Sequence, residues 1–471
     1  MAEFDLIVIG AGSAGLSVTA VAAQLGLRVM LVERERMGGD CLNTGCVPSK
    51  ALLAAAHAVQ AGARAGRFGV RFAPPEVDWD AVQAHVAGVI AAIAPTDSVE
   101  RFRALGAQVV LGQAMFVAPD AIMVDGRRMT AKRIVIAAGS RAAVPGLPGL
   151  RDVPFLTNAN LFKPGPKPAH LLILGGGPIG LEMAQAHAGL GVRVTVVEAQ
   201  SIAGRDDPVL VAGLRQALLA DGIEIIEGVA VVRVEPGPTL VLADGRRING
   251  THLLVAVGRQ PNLDGLGLEA GGVTATKLGI ATDAGLRSVS NRRVYAVGDI
   301  ADPVGIGPRA FTHVASYHAG IVVRRALFRL PAKLDYRALP RVTYTAPELA
   351  QTGMTEAEAR AAGHAVKVLE WKLQENDRAQ TERQTHGTVR LIVSGQGQLL
   401  GAGMLADHAG EMISLWTLAI AQKVKLSALA GLIIPYPTLS EAGKRAAGSA
   451  FTARLFSPLT QRIVRWLARL P

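Results

Sequence analysis

At 471 residues the chain is too long for one ordinary domain, and two to four are expected. Half of its residues are apolar and 53 are glycine, which excludes a disordered or fibrous chain and suits α/β layers joined by tight turns; aromatics at 4% leave too few rings for a nucleic-acid stacking surface. The formal charge of +11 comes from scattered basic residues, a field that attracts anionic cofactors and acidic surfaces without selecting one.

An apolar strand, residues 4–9, runs into Gly10-Ala11-Gly12-Ser13-Ala14-Gly15, then a helical stretch to about Leu25 and a second strand, Arg28–Val32, ending at Glu33. This is G-x-G-x-x-G in strand–turn–helix context with an acid about twenty positions on. The first glycine permits the tight turn, the second lets backbone approach a pyrophosphate, and the third lets helix and strand pack closely. Free N–H groups and the positive end of the helix dipole face the phosphates, and the carboxylate accepts from a ribose. No secretory signal precedes the first strand, and no apolar run approaches the ~18 residues of a membrane span.

Cys41 and Cys46, the only two cysteines, share the segment Gly38–Lys50 ahead of the Ala-rich stretch Ala51–Ala61. A stabilising disulfide framework would use more cysteines, so a reducing cytoplasm and a catalytic pair fit better. Pro48 suits the first turn of a helix, and a cysteine near a helix N-terminus has a lowered pKa that favours thiol–disulfide exchange. Lys50 adds positive charge one turn on. Without a second Cys or His pair this is a poor zinc pattern, so no metal cofactor is expected.

A second copy of the dinucleotide pattern begins at the strand His170–Leu174, turns through Gly175-Gly176-Gly177-Pro178-Ile179-Gly180, continues as the helix Leu181–Leu190, and ends with the strand Val192–Val197 and Glu198. Two dinucleotides are therefore implied. Val144–Gly149 and Lys163–Pro168 read as linkers. Pro340 opens a region without a phosphate turn, with strands at Val366–Leu373, Val389–Ser394 and Leu399–Leu405 before a helix, Gly410–Gln422, an α+β pattern.

With both turns in place, Gly38–Lys50 resembles the active-site signature of the class I flavoprotein disulfide reductases, the family of glutathione reductase, dihydrolipoamide dehydrogenase and mercuric reductase. Ile134–Ser140 and Leu253–Asn262 resemble the segments that end its FAD and NAD(P) halves, Val294–Asp299 its second FAD motif, and Tyr344–Glu358 with Gly401–Glu411 its interface domain. The resemblance implies an α/β fold of two Rossmann-like dinucleotide-binding domains plus an α+β dimerisation domain. Residues 1–145 and 267–335 would bind FAD, 146–266 NAD(P), and 336–450 would form a homodimer interface, with a basic tail over 451–471. FAD would be held by Gly10, Gly12, Ser13, Ala14, Gly15, Glu33, Gly39, Asp40, Lys50, Ala138, Gly139, Gly298, Asp299 and His313. The nicotinamide cofactor would be held by Gly175, Gly177, Pro178, Ile179, Gly180, Glu198 and Gly258. NAD(P)H would deliver hydride to flavin N5, and the electrons would pass to Cys46, the proximal thiol in charge-transfer contact. Cys41 would be the interchange thiol, and Lys50 with Glu182 an ion pair beside the flavin. On the residues alone, Glu182 falls in the first turn of its helix, where a carboxylate is stabilised anyway. Glu198 favours NADH, because it accepts from a ribose 2′-OH and repels a 2′-phosphate; Arg193 and Arg205, near in sequence, soften that exclusion and keep NADPH as the second option.

Three features depart from the family pattern. The segment Ile433–Glu441 keeps the Glu that orients the family's C-terminal catalytic His, as Glu441, but has Tyr436 at the His position, and a phenol titrating near ~10 is a poor base. A Tyr there resembles mercuric reductase, where it faces the metal. This chain has neither that enzyme's C-terminal cysteine pair nor its N-terminal metal-binding module, so Hg(II) would reach Cys41 and Cys46, as soft-metal ligands, from a small thiol. Asp40 replaces the usual Thr; it raises the Cys41 pKa, offers an extra ligand, or bonds a turn N–H. His313 and His318 are structural by default, with His313 near the flavin pyrimidine edge by resemblance. Arg454–Leu470 places Leu455, Leu459, Ile463, Val464, Trp466, Leu467 and Leu470 opposite Arg462, Arg465 and Arg469 on one helix, suited to a membrane surface or to packing on its own dimer.

Three readings follow. The first is a homodimeric NAD(P)H:disulfide oxidoreductase acting on a small-molecule disulfide, quinone or other thiol-reactive acceptor. The second is a mercuric-reductase-like enzyme, and the third a redox-linked flavoprotein adaptor that docks a membrane or partner through its tail. All place the chain in the cytoplasm, the third at the inner membrane surface, with no nucleic-acid partner.

Overall fold

The computed structural model describes residues 2–471. The chain divides into two compact units: one holds the residues through Ala55, Glu76–Gly175 and Val231–Leu334, the other Ala56–Pro75, Gly176–Ala230 and Asp335–Pro471. This cuts the expected 146–266 region at Gly175 and Val231. The second cut has a local cause, since the Val231–Glu235 strand lies along the linker, with Val234 N–H donating to the Pro148 carbonyl at 2.9 Å.

In the first unit, Gln108–Leu111, Val29–Glu33, Phe4–Ile9, Arg127–Ile136 and Val294–Ala296 form a parallel sheet in that spatial order. Its central strands are buried apolar runs (Leu6, Ile7 and Val8; Ile134, Val135 and Ile136), as covering on both faces requires. The chain builds outward on one side of Phe4–Ile9, then returns on the other side with Arg127–Ile136. The strand order therefore reverses between these two, and the crevice beyond their carboxyl ends is the ligand position of such sheets. Gly10 and Ala137 follow those ends. His170–Leu174 pairs in parallel with His252–Val255 in the same unit.

The second unit contains the parallel pair Arg193–Glu198 and Glu224–Glu227. It also holds a five-stranded antiparallel sheet ordered Pro340–Thr343, Glu348–Gly353, Leu399–Ala406, Thr388–Ser394, Val366–Lys372. The helices Ala409–Ala421 and Glu441–Leu455 supply Ile413, Trp416, Ala442 and Ala446 to a core shared with Leu391 and Met404. The tail is not the single helix expected over Arg454–Leu470. Glu441–Leu455 ends before Phe456-Ser457, and a separate helix, Pro458–Leu467, follows. Pro458 has no N–H to continue the first helix, and Ser457 Oγ accepts from Thr460 N–H at 3.2 Å to cap the second.

Arg390 anchors this unit internally. Its side chain, 7% exposed, pairs with the buried Asp207 and reaches Glu356 at 3.0 Å. Removing one partner leaves an uncompensated buried charge, so Arg390→Ala should cost about 3–5 kcal/mol, read as a lower urea midpoint. An unchanged midpoint would show that the pair contributes nothing.

Candidate active site

Gly10 has φ +104°, and a Cβ there would lie 2.4 Å from the Ala137 carbonyl oxygen, so only glycine lets the turn pass its neighbouring strand. Gly12 is the N-cap of Ser13–Gln24 with no side chain capping the helix, and a Cβ on Gly12 would meet only Gly39 Cα, at 3.9 Å. Glu33 is buried; its Oε2 accepts from Ala11 N–H at 2.7 Å and its Oε1 from Glu35 N–H at 2.8 Å. The second turn repeats this device. Gly177 caps Pro178–Gly189 without a side-chain acceptor, Glu198 Oε2 accepts from Gly176 N–H at 2.8 Å, and Oε1 accepts from Gln200 N–H at 3.0 Å. Each acid first anchors its own turn, a role the sequence reading missed, and still has lone pairs for a ribose. Helix amides without side-chain caps, open space above Gly12 and these carboxylates fit a dinucleotide at each turn.

The redox segment is seated on the first turn. Gly38 N–H donates to the Ala11 carbonyl at 2.9 Å, and Gly39 lies so close that a Cβ would be 2.7 Å from Gly12 Cα. This holds the short helix Gly39–Asn43, with Cys41 inside it. Cys46 is the first residue of Cys46–Arg64, which puts Pro48 in the first turn as expected. Its Sγ lies 3.3 Å from Thr312 Oγ1, at the start of Thr312–Val322. The Cys41 thiol is pushed far above its usual range, chiefly by its hydrogen bond to Cys46 and then by burial, against a smaller opposing effect of Thr312. A lowered thiol pKa was expected near this helix; for Cys41 the direction is the reverse. Cys46, by contrast, opens its helix, where the dipole favours a thiolate.

Asp40 neither bonds a turn N–H nor stands free. Its Oδ1 accepts from Thr44 Oγ1 at 2.5 Å and Asn158 Nδ2 at 2.7 Å, and its Oδ2 from Arg259 Nη2 at 2.6 Å. It is absent from the causes that raise Cys41. Arg259, which the sequence reading did not single out, also donates from Nε to Ser140 Oγ at 2.7 Å and lies 3.6 Å from Asp299. Ser140 Oγ in turn donates to Asp299 Oδ2 at 2.6 Å, and burial raises the Asp299 carboxyl against the pull of Ser140 and Arg259. Gly298 N–H donates to the buried His318 Nδ1 at 3.1 Å; burial lowers His318 to about 4, so it is a neutral support for the turn carrying Asp299. His313 is exposed and stacks on Phe311. Asn262 joins the two strand-and-glycine segments, donating from Nδ2 to the Ala138 carbonyl at 2.8 Å and from its N–H to Gly139 at 3.0 Å. Gly258 accepts from Ala143 N–H at 2.9 Å.

Lys50 is half-buried in the first unit. Glu182, in the second unit, is the fifth residue of Pro178–Gly189 and so not the first-turn acid expected; it is buried and accepts from Tyr344 N–H at 3.0 Å. Tyr436 is 68% exposed, and its hydroxyl donates to Asp377 Oδ2 at 2.8 Å. Asp377 is the main cause of a raised phenol pKa. Glu441, first residue of its helix, pushes the same way without holding the hydroxyl. Sequence spacing pointed to Glu441 and gave no signal for Asp377.

The chain belongs to the pyridine nucleotide-disulphide oxidoreductase family, which residues 4–326 match, with its dimerisation domain matched by residues 339–447. It is an FAD-dependent flavoprotein oxidoreductase of a family that uses NAD(P)H, and the dimerisation domain supports a homodimer. It is 38% identical over 461 residues to the mercuric reductase of Streptomyces lividans, covering 94% of this chain and 95% of that protein. It is 36% identical over 459 residues to the dihydrolipoyl dehydrogenase of Thermus scotoductus, covering 94% and 96%. Among solved structures, the HOCl-induced flavoprotein disulfide reductase RclA from Escherichia coli matches with a TM-score of 0.84 at 27% identity, over 94% of this chain and 99% of that one.

Asp377 stabilises the O–H form of Tyr436 and repels the phenolate, so Asp377→Asn should move the phenol's titration down toward ~10. The phenolate absorbance, taken as a difference against Tyr436→Phe, measures it; an unmoved or upward titration would remove Asp377 as the cause.

Proposed function

We propose that this enzyme carries two electrons from NADH through FAD to Cys41 and Cys46, and from them to a small thiol-reactive acceptor such as a disulfide. The observation that carries this reading is the seating of the redox segment on the first dinucleotide turn, with Cys46 opening the helix that follows. FAD would lie against Gly10–Gly15, Glu33, Gly39, Ala138, Gly139, Gly298 and Asp299, and NADH against Gly175–Gly180, Glu198 and Gly258. Lys50 would lie beside the flavin. Bound FAD supplies the hydride acceptor and relays the electron pair.

The oxidised Cys41–Cys46 disulfide takes two electrons and one proton, giving the Cys41 thiol and the Cys46 thiolate. Once Cys41 loses its proton, its sulfur attacks a disulfide RSSR, forming a Cys41–S–S–R bond and releasing RS⁻, which the proton converts to RSH. Cys46 then attacks the Cys41 sulfur, releases the second RS⁻ and restores the internal disulfide. Arg193 lends little support to NADPH. It opens the strand that Glu198 closes, about 17 Å away at ~3.3 Å per residue, and its side chain is directed to Glu224. The expected preference is a kcat/KM for NADH at least about tenfold above that for NADPH.

Cys41→Ser and Cys46→Ser should each reduce NADH-dependent turnover of a small aromatic disulfide by about 10³-fold or more, while NADH still bleaches the flavin. Turnover that survives both substitutions would leave a plain flavin reductase.

A second reading, reduction of a soft metal ion, is favoured by one observation: the hydroxyl of Tyr436, the residue that resemblance puts at the family's proton-transfer position, donates to Asp377, which raises its pKa. An acceptor that binds thiolates directly needs no base there. The two sulfurs would be the ligands of the incoming ion, in line with thiolate softness. NADH oxidation that rises with Hg(II) in excess small thiol, and falls with Cys41→Ser, would support this reading. No stimulation would set it aside.

A further inference from the structure

The helix Pro458–Leu467 has no buried residue. Leu459 is 67% exposed and Trp466 61%, and Ile463, Leu467 and Leu470 are also exposed. At 3.6 residues per turn Leu459, Ile463, Trp466 and Leu467 fall within about 100° of arc, flanked by Arg462 and Arg465, and Arg469 and Leu470 follow just past the helix end. Phe451, Leu455 and Phe456 add exposed apolar surface just before it. From Ala442 to the end of the sequence there is no Asp or Glu, while Lys444, Arg445, Arg454, Arg462, Arg465 and Arg469 are cationic.

We infer that this helix is an interfacial anchor that lies in the surface of an anionic lipid bilayer. The apolar stripe would enter the headgroup–acyl boundary, with Trp466 at headgroup level and the arginines extended to lipid phosphates. Charge selects this occupant over a second copy of the chain. Every copy carries +11, and the segment offers no carboxylate to pair with a facing arginine. A helix of ten residues gains little stability from its own hydrogen bonds in water, so its apolar face needs a surface. No helix among the described residues is long and apolar enough to cross a membrane, so the contact is peripheral. The inference is independent of which acceptor the cysteines reduce.

The test uses full-length, FAD-loaded enzyme and large vesicles of phosphatidylcholine with or without phosphatidylglycerol. The enzyme should sediment with the anionic vesicles at low salt and be released by high salt. Trp466 emission, taken as a difference against Trp466→Phe, should shift to the blue only with those vesicles. Replacing Arg462, Arg465 and Arg469 by Gln should lower the partition coefficient roughly 100-fold, at about fivefold per cation. Leu459→Glu with Ile463→Glu should abolish binding with flavin content and dimer size unchanged. The inference is overturned if neither vesicle binds, if both bind equally, or if deletion of 458–471 leaves vesicle binding intact. It is also overturned if that deletion splits the dimer, which would give the apolar face to a second copy.

Discussion

A side chain on Gly39 would place its Cβ 2.7 Å from Gly12 Cα, so the redox segment reaches the first dinucleotide turn only because two bare backbones meet there. The Gly38 N–H to Ala11 bond fixes the register of that meeting. The positions of both sulfurs follow from it. Cys41 rides on a one-turn helix that the contact seats, and Cys46 opens the next helix, where the dipole favours its negative charge. The nucleotide turn and the dithiol are thus one structural element. Substitution at Gly39 would move the sulfurs relative to the turn even with every catalytic side chain in place.

The two turns share a second constraint that the motif does not advertise. Glu33 and Glu198 each accept an N–H from the second residue of their own turn and another from two residues further on. Each acid is part of the scaffold before any ribose arrives, so a change at Glu198 aimed at cofactor choice also loosens the amides that would face the pyrophosphate. The same economy holds around Asp299, where His318 fixes the turn from below and Ser140 and Arg259 hold the carboxylate.

Periodicity and glycine spacing made both dinucleotide units, the redox segment and the α+β region legible in the sequence, because each rests on local rules: an apolar strand, a turn that requires glycine, a helix. The third-region strands expected at Val389–Ser394 and Leu399–Leu405 appear at Thr388–Ser394 and Leu399–Ala406. What escaped was long-range pairing. Asp40 meets Arg259 across 219 positions and Tyr436 meets Asp377 across 59, separations at which no spacing rule operates. The direction of the Cys41 shift escaped for a related reason: helix dipole arguments treat one thiol at a time, whereas here the hydrogen bond between the two sulfurs, and then burial, set the direction. The break at Ser457 and Pro458 was local, but the apolar periodicity running through it hid it.

These pairings bear on how the proposed chemistry moves its proton. In the family pattern a histidine, titrating near neutrality, stands where this chain has Tyr436. Tyr436 has its one O–H committed to a carboxylate that raises its pKa, so the hydroxyl offers only neutral lone pairs. Asp40 has both oxygens hydrogen-bonded, to Thr44, Asn158 and Arg259. In the proposed chemistry, proton release from Cys41 would be driven by what meets the sulfur. A disulfide substrate offers no basic group strong enough until it has been cleaved, whereas a soft cation binds thiolate so much better than thiol that coordination itself displaces the proton. On either proposed reading the proton would leave with the acceptor: a soft cation displaces it by coordination, and a disulfide takes it up as the released RS⁻ becomes RSH.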